Sequence, residues 1–160
     1  MIILGIDPGA SGGIAAVSTD LFEASVFKMP ETERDMLDLL QTFAGCNVKA
    51  YLEKVHASPG MGVVAAFTFG GNYKMIRTSL IAKEIPFDEV TPQRWQKVVG
   101  GLASSGKVVN GFKKRDKNVS KARAQELFPS VKKITHAYAD ALLIAEYGRR
   151  MERGTDQASE

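Results

Sequence analysis

A chain of 160 residues holds one domain with a sizeable core, burying roughly two thirds of its unfolded surface, and is too short for two. With 44% hydrophobic and 24% charged residues it has the composition of an ordinary globular protein, and no apolar run approaches the ~20 residues of a membrane span. The net charge of +3 hides an uneven distribution: between residues 94 and 123, nine basic side chains stand against Asp116 alone, a local +8 that leaves −5 elsewhere. Such a stretch is either a solvated loop and helix surface or a face that meets an anionic partner.

The opening MIILGID reads as a strand and lacks the basic start and cleavage site of a secretory signal, so the protein is expected to be cytoplasmic and not secreted. IILGIDP, GIAAVST and FEASVFKM form three successive strands with turns at PGASG and DL, an antiparallel meander. A helix over 31–44 places Met36, Leu39, Leu40 and Phe43 at helical spacing, and Gly45 ends it. The lone Cys46 that follows has no partner for an internal disulfide or a thiolate cluster and reads as structural. KAYLEKV is a fourth strand, HASPGMG a turn, and 62–84 a long helix with few charges in its first half. EIPFDEVTP holds a short fifth strand, and TPQRWQKVV a short helix with Pro92 in its first turn and Trp95 as a core anchor. GGLASSGKVVNG has flexible loop composition, a basic helix spans 118–128, and a final apolar helix spans 136–151. The domain is therefore expected over 1–151, with 152–160 a disordered tail. This order is that of an α/β sandwich with a mixed sheet, strands four and five joined through helices.

Three acids sit where apolar residues are expected. Asp7 interrupts a strand of Ile2, Ile3, Leu4 and Ile6, Glu53 interrupts the fourth strand, and Asp140 lies on the otherwise apolar final helix. A carboxylate in such surroundings is costly unless something pairs with it. Asp7, before Pro8 and Gly9, is either a turn residue or a ligand; Glu53 caps a turn, pairs with a basic side chain, or joins Asp7, if the first and fourth strands are neighbours. His136 and Asp140 are four apart and share a helix face, although His136 also suits a helix start. Carboxylates that converge repel one another, and a divalent cation resolves the conflict; oxygen donors favour Mg²⁺ or Mn²⁺ over zinc.

GIDPG, the acid in YLEKV, the run FDEVTPQRWQKVVG, the helix ending in ELFP and the closing THAYADALLIA together resemble the RuvC-like Holliday-junction resolvases, particularly the short phage and bacterial members. The resemblance covers residues 2–149. It implies a ribonuclease H-like fold, with a five-stranded mixed sheet flanked by helices, a homodimer, and hydrolysis of phosphodiesters with two Mg²⁺ per active site, for which Mn²⁺ substitutes. Carried over, Asp7 bridges both metals, Glu53 joins it at one, and Asp140 with His136 holds the other. His136 stands where a second aspartate is common. His56 stands three residues after the strand-four glutamate, where many cellular members carry an aromatic wedge, so stacking at the crossover is either absent or done differently here.

The implied substrate is a four-way junction or other branched DNA. Lys107, Lys113, Lys114, Arg115 and Lys117 are the candidate phosphate contacts, with His56 near the crossover. On the long helix Gly62, Ala66 and Gly70 form a small-residue stripe beside Phe69, Tyr73 and Ile76, either a dimer surface or packing against the chain's own sheet. Two readings compete: a ribonuclease H-like metal nuclease acting on flaps or other branches, and a DNA-binding protein without catalysis. An actin-like or sugar-kinase half, which also opens on an aspartate and glycines, needs a second lobe that 160 residues do not supply.

Overall fold

The computed structural model describes residues 1–20, 23–57, 60–100, 102, 108–109, 112–113 and 116–157, with 108–109, 112–113 and 155–157 as backbone only. The chain runs β1 (Ile2–Asp7), β2 (Gly13–Ser18), β3 (Ala24–Lys28), α1 (Glu33–Gln41), β4 (Val48–Glu53), α2 (Val63–Ala82), β5 (Phe87–Val90), α3 (Pro92–Val99), β6 (Val108–Val109), β7 (Phe112–Lys113), α4 (Lys117–Leu127) and α5 (His136–Gln157). Five strands form one mixed sheet in the order β3-β2-β1-β4-β5. β1, β2 and β3 are an antiparallel meander, while β4 runs parallel to β1 and β5 parallel to β4. This is the expected α/β arrangement, a five-stranded mixed sheet flanked by helices.

Period-two alternation along the strands supplies a core on each face of the sheet. Ile3, Val17 and Tyr51 pack with Trp95 of α3, Ala124 of α4, and Leu142 and Leu143 of α5. Leu4, Ile6, Ile14 and Leu52 pack on the opposite face with Met36 and Leu40 of α1 and Ile76 and Leu80 of α2. Ile3, Leu4 and Ile6 are fully buried. At about 1.5–3 kcal/mol each, they anchor a strand whose end carries the partly buried Asp7, a carboxylate that accepts from the Gly9 amide.

The packing of α5 on the sheet is unusually close. A Cβ on Gly5 would fall 2.1 Å from the Ala141 carbonyl oxygen and 2.3 Å from the Ala145 nitrogen, and one on Gly148 would strike the Tyr51 ring. α1 begins at Thr32, whose hydroxyl accepts from the Asp35 amide at 3.1 Å.

Several details depart from the sequence reading. α5 continues to Gln157 instead of ending near 151. Tertiary contacts hold the extra turns: Glu152 accepts from Lys49 Nζ at 2.9 Å and from the Tyr51 hydroxyl, and Arg153 donates to the Thr19 carbonyl at 2.5 Å. The loop between α3 and α4 contains the two-residue strands β6 and β7, paired antiparallel. Of the two readings left open for α2, Ile76 follows packing within the chain, since it is buried in the core. Cys46, read as structural, is exposed in the turn after α1.

Candidate active site

The parallel register pairs Ile2 with Val48 and continues through Ile6 with Leu52. One step further it sets Asp7 beside Glu53, at the carboxyl ends of adjacent strands. In open α/β sheets this edge is where ligands bind. Both residues share the strand face of Ile3 and Tyr51, which is the face covered by α5. The carbonyl of Ala137 lies over Gly13, which pairs with Asp7, and that of Ala141 lies over Gly5. Asp140 therefore sits in the turn of α5 that crosses the end of β1.

Local geometry explains the glycines after Asp7. The Gly9 amide donates to Asp7 Oδ1 at 3.4 Å, and the Gly12 amide to the Gly9 carbonyl at 2.8 Å. A Cβ on Gly12 would lie 2.2 Å from the Asp7 carbonyl oxygen and 2.9 Å from its Cγ. The turn thus folds back directly onto the aspartate, and position 12 admits only glycine without displacing it.

Glu53 has a partner that the sequence did not disclose. The indole N–H of Trp95 donates to Glu53 Oε1 at 2.8 Å, and Trp95 is fully buried. Trp95 is indeed a core residue under α3, and it also reaches the strand-four carboxylate. No local pattern links two residues 42 positions apart. The only available signal was an indole N–H that has to find an acceptor when buried.

His136 is exposed at the start of α5, where its Nε2 donates to Asn118 Oδ1 of α4 at 3.1 Å. His56 is exposed just beyond β4. Asp7, Glu53 and Asp140 are each partly buried. The structure thus brings Asp7, Glu53 and Asp140 to one edge and holds His136 one turn further out. Among the described residues, no three His, Cys, Asp or Glu side chains close into a group that could hold a metal ion. Of the proposed phosphate contacts, Lys117 is exposed at the start of α4 and Lys113 lies in β7, while Lys107, Lys114 and Arg115 fall outside the described residues.

Ionisable groups with shifted titration lie away from this edge: Lys49 pairs with Ile3 near the start of β1, and Glu152, which it bonds, lies about three turns along α5 from Asp140. Burial raises the Glu146 carboxyl, but hydrogen bonds from Arg149 and Arg150 outweigh it and the net shift is downward. Glu152 is likewise lowered, burial being overcome by hydrogen bonds from Tyr51 and Lys49. Partial burial works against the Lys49 ammonium, yet its bonds to Glu152 and Asp88 raise it overall.

Two comparisons by sequence, one with family models and one with curated proteins, find no match. Comparison with solved structures does. The chain is similar to Thermus thermophilus RuvC at a TM-score of 0.62 and 18% identity, over 97% of this chain and 98% of that one. It is similar also to T. thermophilus RuvC in complex with a Holliday junction substrate, at a TM-score of 0.64 and 17% identity with the same coverage. The fold is that of RuvC along nearly its whole length. No helix among the described residues is long and apolar enough to cross a membrane.

Proposed function

We propose that the chain is a structure-selective endonuclease that resolves four-way DNA junctions by paired hydrolytic nicks, acting in the cytoplasm of a bacterial or phage-infected cell. One observation carries this reading: in a RuvC fold, Asp7 and Glu53 end adjacent parallel strands beneath the α5 turn that bears Asp140. The donor chemistry fits hard divalent cations, Mg²⁺ with Mn²⁺ as substitute. Asp7, Glu53 and Asp140 would hold them, with His136 as a fourth donor once it leaves Asn118. When bound, such ions supply positive charge to the attacking water and to the leaving oxygen of the phosphodiester. The residues of the chain do the rest. Asp7 is held by its own turn, Glu53 by Trp95, and Asp140 by the rigid contact of α5 with β1.

Affinity comes from the basic segment between α3 and α4, and from Lys117, through phosphate contacts that carry no base information. Junction shape then selects the cut. Two symmetric nicks need two sites related by a two-fold axis, hence a homodimer. The first half of α2 offers the surface: Val63, Val64 and Phe67 are 86%, 81% and 85% exposed, an apolar patch of the kind that marks association.

The reading is tested with a synthetic four-way junction, a matched linear duplex and a flap, each with Mg²⁺ or EDTA. Paired nicks confined to the junction and abolished by EDTA are expected. Equal cutting of the flap would replace the substrate, and binding without cutting would leave a DNA-binding protein.

A further inference from the structure

We infer that Trp95 is a positioning residue for Glu53, acting through its indole N–H and not only through its bulk. This rests on the proposed metal-dependent cleavage and deepens it. An indole N–H is a donor without acceptor capacity, and Trp95 is fully buried, so its single polar atom is committed to Glu53 Oε1 at 2.8 Å. The bond fixes the rotation of the carboxylate about its own axis. Glu53 is the last residue of β4, so its carboxylate stands at the end of the strand.

The donor itself is braced from behind. α3 has eight residues, too few to hold its place by helical hydrogen bonds alone. Its last carbonyls are gripped from two other helices: Arg150 of α5 donates to Val98 at 2.8 Å, and Arg123 of α4 donates to Val99 at 3.2 Å. Arg150 is in turn held by the buried Glu146 at 2.7 Å. A continuous set of contacts thus runs from α5 through α3 to the carboxylate. The same helix α5 carries Asp140, so both sides of the site are referred to one rigid element. Outer donors of this kind typically change metal affinity or activity roughly ten- to a hundredfold.

The test replaces Trp95 by Phe, which keeps the ring and removes the N–H. Mn²⁺ affinity, read by electron paramagnetic resonance on the intact protein, is expected to weaken about tenfold. Junction cleavage should lose a similar factor in kcat, while junction Kd in EDTA stays unchanged. Unchanged Mn²⁺ affinity and kcat in W95F would overturn the inference. Trp95 is the only tryptophan in the chain, which provides a second measurement should W95F fold poorly. Mg²⁺ added to the native protein should change the indole emission saturably, and Glu53→Ala should abolish the change. An emission indifferent to Mg²⁺ would also overturn it. A native protein that binds Mn²⁺ but cuts no junction contradicts the substrate reading alone, because the affinity comparison needs no DNA. Cutting by the native protein with W95F indistinguishable from it contradicts the role of Trp95 alone.

Discussion

Gly5 of β1 and Ala145 of α5 lie so close that a Cβ on the glycine would sit 2.3 Å from the Ala145 backbone nitrogen. Neither partner can yield, since both contacts are to main chain within regular elements. The absent side chain therefore sets the height of α5 above the sheet, and with it the separation of Asp140 from Asp7.

Gly5→Ala is expected to lift α5. Overpacking costs about 1–3 kcal/mol, and with rigid backbone on both sides the cost should fall at the upper end. Urea denaturation should show that loss, and junction cleavage should fall further than junction binding. A variant of native stability and activity would contradict the assigned role of this contact.

The Glu146 cluster predicts an acid limit to stability. Arg149 and Arg150 hold the folded-state carboxyl below its ordinary value. A group lowered on folding stabilises fully above its unfolded value of about 4.5, and that contribution is lost as pH falls from there through the folded value. Glu152 adds in the same direction. Glu146→Gln should cost roughly 2 kcal/mol at neutral pH, below the about 3–5 kcal/mol of a fully buried pair, because Arg150 is 34% exposed. Melting curves across pH 3–7 check this: the difference between native and variant should shrink toward acid, and a constant difference would exclude the mechanism.

Much of this was legible in sequence, and the remainder was hidden for physical reasons. Ile3, Leu4, Ile6 and the helical spacing of Met36 and Leu40 announce strand and helix, because periodicity is local. Asp7 and Glu53 were visible as acids in apolar strands, and strand-helix-strand order made them neighbours. The Trp95 bond to Glu53, the closeness of Gly12 to Asp7, and the last turns of α5 held by Glu152 are tertiary, with no signature along the chain. Ile76 was left between two readings for the same reason, since helical spacing does not say which half of α2 meets the sheet.

The basic segment predicts salt dependence. Each phosphate contact contributes about −0.9 to the slope of log K against log salt. Replacing Lys113, Lys114 and Arg115 together by Ala should flatten the slope for junction binding by about 2–3. An unchanged slope would move the DNA surface elsewhere.

The exposed half of α2 predicts the assembly. Phe67→Glu, at a position 85% exposed, should leave the fold intact while shifting sedimentation from dimer to monomer. Paired nicks should give way to single ones. A native-like sedimentation coefficient would exclude this surface.

The most direct test of the whole account is Asp7→Asn on a four-way junction. The substitution keeps the shape of the side chain and its turn but removes the charge. Cleavage should fall by more than about 100-fold, beyond the loss of an outer donor, with junction affinity in EDTA unchanged. Undiminished, Mg²⁺-dependent paired cutting by D7N would contradict the account and return Asp7 to a turn residue.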